Sequence, residues 1–364
     1  MREPTDLEKA VIFLDGVEGL EYKYKKFILE NFDGNIFTET DKLFSFCEKN
    51  GALVIGKSLV EMLSDKNYAE NKISSALRGA DDVVTVLSCG EQGEYYPQSL
   101  RETPVPPLVL YMKGNKELMK KKFKVSIVGS RKTLPQYLAA TEKVAKELAA
   151  NGAVVVTGIA DGADSAAIKG AAETGNIISV QASGVYPVSP ASKQPLADKI
   201  AANGLLISEN PHGYAPRNFS YPARNRIIAA LSRVTLIASG NMHSGAKYTA
   251  DYAADYGRDI ACFPYGLGVS SGELCKMLVK SGAAMVESAE EVAFLMGMSF
   301  GKVDEVKLND AEKAVYKSIK AGVRSTDALV EKTGMKVYEL MTITVSLEMK
   351  KLITRGVDGR FDAT

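Results

Sequence analysis

Between Lys124 and Ile168 the chain alternates short apolar runs with glycine turns, and few folds accommodate that order. Val125, Ile127 and Val128 form an apolar run closed by Gly129, the pattern of a parallel strand buried on both faces. Leu138, Val144, Ala145 and Leu148 then share one helical face, and Asn151-Gly152 stops it. A second strand is expected over residues 153–157, followed by Gly158-Ile159-Ala160-Asp161-Gly162-Ala163-Asp164 and another helix. Strand, glycine turn, helix, strand is a βαβ unit, whose crossover packs right-handed on a parallel sheet. Ligands of such sheets gather beyond the carboxyl ends of the strands. Those ends carry Gly129-Ser130-Arg131 and the loop from Gly158 to Gly162, so the first offers a tight backbone and one cation, which suits a phosphate. A lone Gly-x-Arg can serve only to bend the chain. A second glycine loop on the neighbouring strand favours an anion site.

The alternation continues. Strands are expected over 177–181, 205–208, 234–238, 260–263 and 284–286, with helices between them that stop at Gly175, Gly204, Gly257 and Gly282. Seven strands of this kind define the fold class as α/β, a Rossmann-like, doubly wound and largely parallel sheet. Two more runs, 83–87 and 108–112, flank a proline-rich connection and read as strands added to its edge. The first turn lacks G-x-G-x-x-G, no acidic residue ends the second strand, and no G-x-x-x-x-G-K-[ST] occurs. A nicotinamide enzyme and a P-loop ATPase are thereby excluded, and no cofactor is implied.

A chain of 364 residues is long for one core. Three domains are expected: a small helical domain over 1–78, the Rossmann-like domain over 79–300, and a separate module over 301–364, with a linker near 297–306. In the first, Leu7, Ala10, Val11 and Leu14 make one helical face, Asp15-Gly16-Val17-Glu18-Gly19 breaks it, and Tyr24, Phe27 and Ile28 begin a second helix. This helix-turn-helix is similar to helix-hairpin-helix and SAM-like modules. Asp15 and Glu18 would repel a phosphate at the turn, so packing is the expected role. In the last, Ala311, Val315 and Ile319 mark one helix, Ser325 caps a second, residues 337–347 form a third, and 352–361 make two short strands around a turn. That is a winged helix. Its net charge of +2 from Glu305 onward leaves open whether it meets DNA or protein.

The net charge of the whole chain is +1, so any affinity for nucleic acid must come from a local patch. One exists. From Asn210 to Ala250 there is no Asp or Glu, yet Arg217, Arg224, Arg226, Arg233 and Lys247 all occur. Phe219 and Tyr221 lie among the arginines, and cations beside an aromatic face suit single-stranded nucleic acid. The four cysteines are far apart with no metal spacing, which fits reduced thiols in the cytoplasm. No apolar run approaches membrane length.

Taken together, these motifs resemble the DNA-processing protein A (DprA/Smf) family. The resemblance runs through Tyr96-Pro97, Ile127-Val128-Gly129-Ser130-Arg131, the glycine loop to Asp164, Tyr186-Pro187 and Ser208-Glu209. Its strongest part is Tyr221-Pro222-Ala223-Arg224-Asn225-Arg226-Ile227-Ile228. It implies a cytoplasmic homodimer without established catalytic activity that binds single-stranded DNA, protects incoming strands and helps load the RecA recombinase in natural transformation. By position it implies a site made of Gly129, Ser130, Arg131, Gly158, Gly162, Asn218, Tyr221, Arg224, Asn225, Arg226, Ser244 and Gly245. Arg131 would clamp a phosphate and Tyr221 would stack on a base, while Asn218 stands where the family can place a lysine. Ile168 replaces the family's histidine, and Ser244-Gly245-Ala246-Lys247 departs from its Ser-Gly-Ser-Leu. The competing class is a nucleotide-hydrolysing enzyme on the same scaffold, like the lysine-decarboxylase-like phosphoribohydrolases. Those use a Pro-Gly-Gly-x-Gly-Thr turn with a glutamate, where this chain has Ser239-Gly240-Asn241-Met242-His243-Ser244.

Overall fold

The computed structural model describes residues 2–300, 308–350, 352–356 and 359–363. It divides into two compact units, Met1–Phe300 and Gly301–Thr364. The expected linker falls largely outside the described residues.

The first unit opens with five helices: α1 (Asp6–Asp15), α2 (Tyr22–Asn31), α3 (Thr40–Lys49), α4 (Leu53–Ser64) and α5 (Lys66–Leu77). A reciprocal Thr5/Glu8 capping box starts α1, and the Glu8 carboxylate also accepts a hydrogen bond from Ser88 Oγ at 2.7 Å. The cap therefore fixes the helix to the loop after the first strand. Val11, Phe13, Leu14, Leu43 and Leu59 are buried in the same apolar cluster as Val83, Val109 and Val125 of the sheet. Leu7 is the exception on the expected face, at 49% exposed.

The sheet has nine strands: β1 (Asp82–Thr85), β2 (Val109–Gly114), β3 (Lys124–Val128), β4 (Val154–Thr157), β5 (Ile177–Val180), β6 (Leu205–Ser208), β7 (Val234–Ile237), β8 (Asp259–Cys262) and β9 (Ala284–Met285). Single-turn helices α6 (Gly90–Gly93) and α7 (Gln98–Arg101) lie between β1 and β2. The order is β1-β2-β6-β5-β4-β3-β7-β8-β9, with all strands parallel except β2, which runs antiparallel to both of its neighbours, β1 and β6. Strands β4 to β6 extend to one side of β3 and β7 to β9 to the other, which puts the topological switch point between β3 and β7.

Connecting helices cover both faces. On one, α8 (Pro135–Ala150), α9 (Ala163–Ala171) and α14 (Ala289–Met296) bury Val144, Leu148, Ala167 and Val292 against Val125, Ile127 and Val155. On the other, α11 (Ser220–Leu231), α12 (Ala246–Asp255) and α13 (Glu273–Lys280) bury Ile227, Ala250 and Leu274 against Val128, Val154 and Ile178. Alternate residues of one strand thus supply two cores, as the pleat requires. The remaining helix, α10 (Gln194–Asn203), precedes β6.

In the second unit, α15 (Asp310–Lys320), α16 (Thr326–Thr333) and α17 (Val337–Met349) precede the antiparallel pair β10 (Ile353–Arg355) and β11 (Phe361–Ala363). Ser325 caps α16 as expected. Val315, Ile319, Leu329, Leu340, Leu347, Ile353 and Phe361 form a separate core.

Candidate nucleic-acid interface

The strand ends at the switch point enclose a cavity of about 590 Å³. Its floor begins where β3 ends. A Cβ on Gly129 would stand 2.7 Å from Ala163 Cβ and 2.8 Å from Ser239 Oγ, so glycine is required by close packing there. Ser130 N donates to Ser239 Oγ at 3.0 Å, Lys132 N to Ser130 Oγ at 3.1 Å, and Thr133 Oγ1 to Ser130 O at 2.9 Å. The turn is rigid, but the amides of Ser130 and Lys132 are already used inside it. Side chains, more than these backbone N–H groups, are left to meet a ligand at this turn. Arg131 and Lys132 supply them, both exposed at the rim.

The second glycine loop acts as a support. Gly162 has φ 78°, and a Cβ there would come within 2.3 Å of Ser130 O and 2.7 Å of Arg131 O. Only glycine lets the two loops press together and hold Arg131 in place. A Cβ on Gly158 would meet Arg224 Nη1 and Asp164 Oδ2, each at 2.4 Å. Neither Gly158 nor Gly162 lines the cavity; both stand behind it in this packing role.

Helix α11 forms one wall. Tyr221, Arg224, Asn225 and Ile228 line the cavity at i, i+3, i+4 and i+7, a single helical face. Tyr221 is half-buried. Arg224 is buried; its guanidinium donates to Val180 O and, through Nε, to Asn225 Oδ1 at 3.1 Å. Burial lowers the Arg224 pKa, against the pull of Asp164. Burial likewise raises the Asp164 carboxyl, which Arg224 and the Ala160 N–H (3.2 Å) pull back towards the charged form.

Arg226 does not join this face. Two residues after Arg224 it lies about 200° round the helix, and it pairs instead with Glu209. Burial raises the Glu209 carboxyl and the neighbouring Arg226 lowers it. Asn218 is exposed in the loop before α11, outside the cavity, next to Phe219 at 61% exposed. Ser244 and Gly245 do line the cavity, at the start of α12, where Asn225 Nδ2 donates to Gly245 O at 3.2 Å.

Sequence reasoning missed Lys193. It follows β5, lines the cavity and pairs across it with Asp161 of the second glycine loop; the lysine side chain is 16% exposed and the aspartate 75%. Hydrogen bonding to Lys193 holds the Asp161 carboxyl below its usual range. The rule that loops after parallel strands carry the site would have flagged it, since Lys193 is such a loop residue. In all, four cations (Arg131, Lys132, Lys193, Arg224) and two carboxylates (Asp161, Asp164) line a pocket edged by Tyr221. Among the described residues no His/Cys/Asp/Glu cluster could hold a metal ion, and no helix is long and apolar enough to cross a membrane.

A doubly wound sheet with a cationic, aromatic-edged pocket at its switch point defines a Rossmann-like protein. The particular family follows from comparison: the chain belongs to the DNA recombination-mediator protein A family, whose model matches residues 88–297. That span contains every cavity residue named above. DNA processing protein DprA of Streptococcus pneumoniae is 38% identical over 200 residues, which cover 54% of this chain and 70% of that one. Protein Smf of Synechocystis is 34% identical over 206 residues, 56% of this chain and 52% of its own length. The crystal structure of the Streptococcus pneumoniae protein superposes with a TM-score of 0.64 at 27% identity, covering 82% of this chain and all of that one. A structure of DNA processing protein A from Helicobacter pylori, determined for its single-stranded DNA binding mode, gives 0.53 at 29% identity over 60% of this chain and 98% of its own.

Proposed function

We propose that this chain binds single-stranded DNA in the switch-point pocket, protects incoming strands in the cytoplasm and helps load a RecA-class recombinase during transformation. The observation that carries the binding step is the single face of α11. It sets Tyr221 beside Arg224 and Asn225, with Arg131 and Lys132 across the mouth. Cations for phosphates and an aromatic face for a base are the elements of sequence-tolerant single-strand binding. The Helicobacter pylori relative supports the reading. The site consists of Gly129, Ser130, Arg131, Tyr221, Arg224, Asn225, Ser244 and Gly245, to which Lys193 is added. Residues 1–78, 79–300 and 301–364 act as a helical domain, the DNA-binding domain and a winged helix, and the protein works as a homodimer.

Anisotropy titrations with single- and double-stranded DNA of equal length test the reading. Tighter binding of the single strand is expected, and equal or weaker binding overturns it. Sedimentation at micromolar concentration tests the dimer, and recombinase assembly on a protein-coated single strand tests the loading step.

Hydrolysis of a nucleotide has one observation on its side, the buried Asp164 carboxyl raised by its surroundings within the pocket. The hydrogen bond from Ala160 N and the adjacent Arg224 give that carboxyl a structural task instead. Release of free base from nucleoside monophosphates would establish the enzymatic reading.

A further inference from the structure

Thr249 lies one turn into α12 and lines the cavity at 1% exposure. Its Oγ1 is buried and makes no hydrogen bond, and no other cavity-lining side chain among the described residues has such an atom. A threonine inside a helix commonly bonds the carbonyl four residues back. Here that carbonyl belongs to Gly245, and it accepts Asn225 Nδ2. A buried hydroxyl without a partner is a standing cost to the fold, one that a ligand can relieve.

The distribution of charge says which part of a nucleotide comes to it. The cavity cations without a carboxylate or carbonyl partner among the described residues, Arg131 and Lys132, sit at the exposed rim. Farther in, the wall is apolar (Val128, Ile228, Ala246), Arg224 is already bonded to Val180 O, and the buried Asp164 carboxyl accepts from Ala160 N beside Arg224. A cavity of about 590 Å³ is in the range that houses small-molecule ligands, far more room than a phosphate needs.

We propose that the pocket takes a whole nucleotide, base inward, and that Thr249 is a base-reading residue whose hydroxyl hydrogen-bonds the base edge while the phosphate stays with Arg131 at the rim. The inference rests on the single-strand reading above and names the part of the strand that the pocket reads. A hydroxyl both donates and accepts, so every base satisfies it. The contact adds affinity without selecting sequence.

The test uses the full chain, with oligo-dT and an abasic strand of the same length and backbone, titrated by anisotropy at several salt concentrations. Wild type should bind the abasic strand more weakly. Thr249→Val should weaken oligo-dT binding about two- to tenfold, the worth of one net hydrogen bond, and leave abasic binding and the salt slope unchanged. Thr249→Ser, which keeps the hydroxyl, should restore oligo-dT binding. Because the hydroxyl has no partner in the fold, Thr249→Val should melt no lower than wild type. Equal losses on both strands, or no loss on oligo-dT, overturn the assignment. If the valine variant does not fold, equal binding of the two strands by wild type overturns it on its own. Failure of wild type to bind either strand sinks the single-strand reading; wild-type binding with an unaffected Thr249→Val sinks only this inference.

Discussion

An aspartate at the mouth of an anion pocket works against the ligand, and Asp161→Asn should therefore tighten DNA binding. Asp161 is three-quarters exposed and pairs with the better-covered Lys193. Exposed pairs of this kind contribute roughly 0–1 kcal/mol, so the fold should lose little. For binding, the substitution removes one like charge from the path of the phosphate and releases one cation towards it. Two unit charges about 4 Å apart in water interact by about 1 kcal/mol, which converts to roughly a fivefold gain at low salt. A freed Lys193 that meets a phosphate should also steepen log K against log salt by about 0.7 on a single strand. Between 50 and 200 mM salt, that extra slope adds about 2.5-fold to the loss of affinity. Anisotropy titrations with oligo-dT across that range read both quantities. Lys193→Ala should weaken binding, and adding Asp161→Asn to it should give only the gain from the lost like charge, without the steeper slope, because the slope runs through Lys193. Unchanged affinity and slope in Asp161→Asn, or a steeper slope that survives in the double variant, would refute the reasoning.

Arg131 is exposed and makes no hydrogen bond or ion pair among the described residues. Arg131→Ala should leave the melting temperature unchanged and flatten the salt slope by about 0.7, and equal slopes would mean it touches no phosphate. Tyr221 carries no charge, so Tyr221→Ala should cost roughly 1–3 kcal/mol of binding with the slope unchanged; a changed slope would show that more than stacking was lost. In the second unit Glu312 is held at about 2 by Lys350, Ser346 Oγ and the Asn309 N–H. Its folded pKa lies below the usual carboxylate value. The stability it contributes is thus present above about pH 4.5 and lost as pH falls towards 2. Glu312→Gln should flatten the acid dependence of that unit's melting across this window, as followed by circular dichroism, and an unaltered profile would count against it.

Much of this architecture was legible because it depends on local pattern. Val125, Ile127 and Val128 closed by Gly129 are a buried strand whatever follows, and Ser325 caps α16 through its own hydroxyl. The antiparallel edge strands could be read from the prolines between them, though their ends shifted by one or two residues. The glycine loops were read as a ligand cradle, yet the amide of Ser130 donates to Ser239, which is 109 residues away in sequence. No local pattern reports which donors a fold has already used. Lys193 could be flagged by its place in a loop after a parallel strand, but its pairing with Asp161, which belongs to another strand's loop, could not.

The division of labour on α11 shows how far a sequence rule can reach when its period is applied strictly. The acid-free window marks Arg224 and Arg226 alike as cations for a ligand. At 100° per residue they cannot share a face, while Tyr221, Arg224, Asn225 and Ile228 can. Ile228 is apolar and buried, which fixes that face as the one turned to the sheet side of the crevice, and Arg226 is left to Glu209. The glycine at 158 completes the selection. Its missing Cβ leaves the volume in which Arg224 and Asp164 both sit, so a small residue on β4's loop decides which arginine of α11 can be held inside. Charge composition thus identified the segment, helical period identified the face, and the close approach at Gly158 identified the residue.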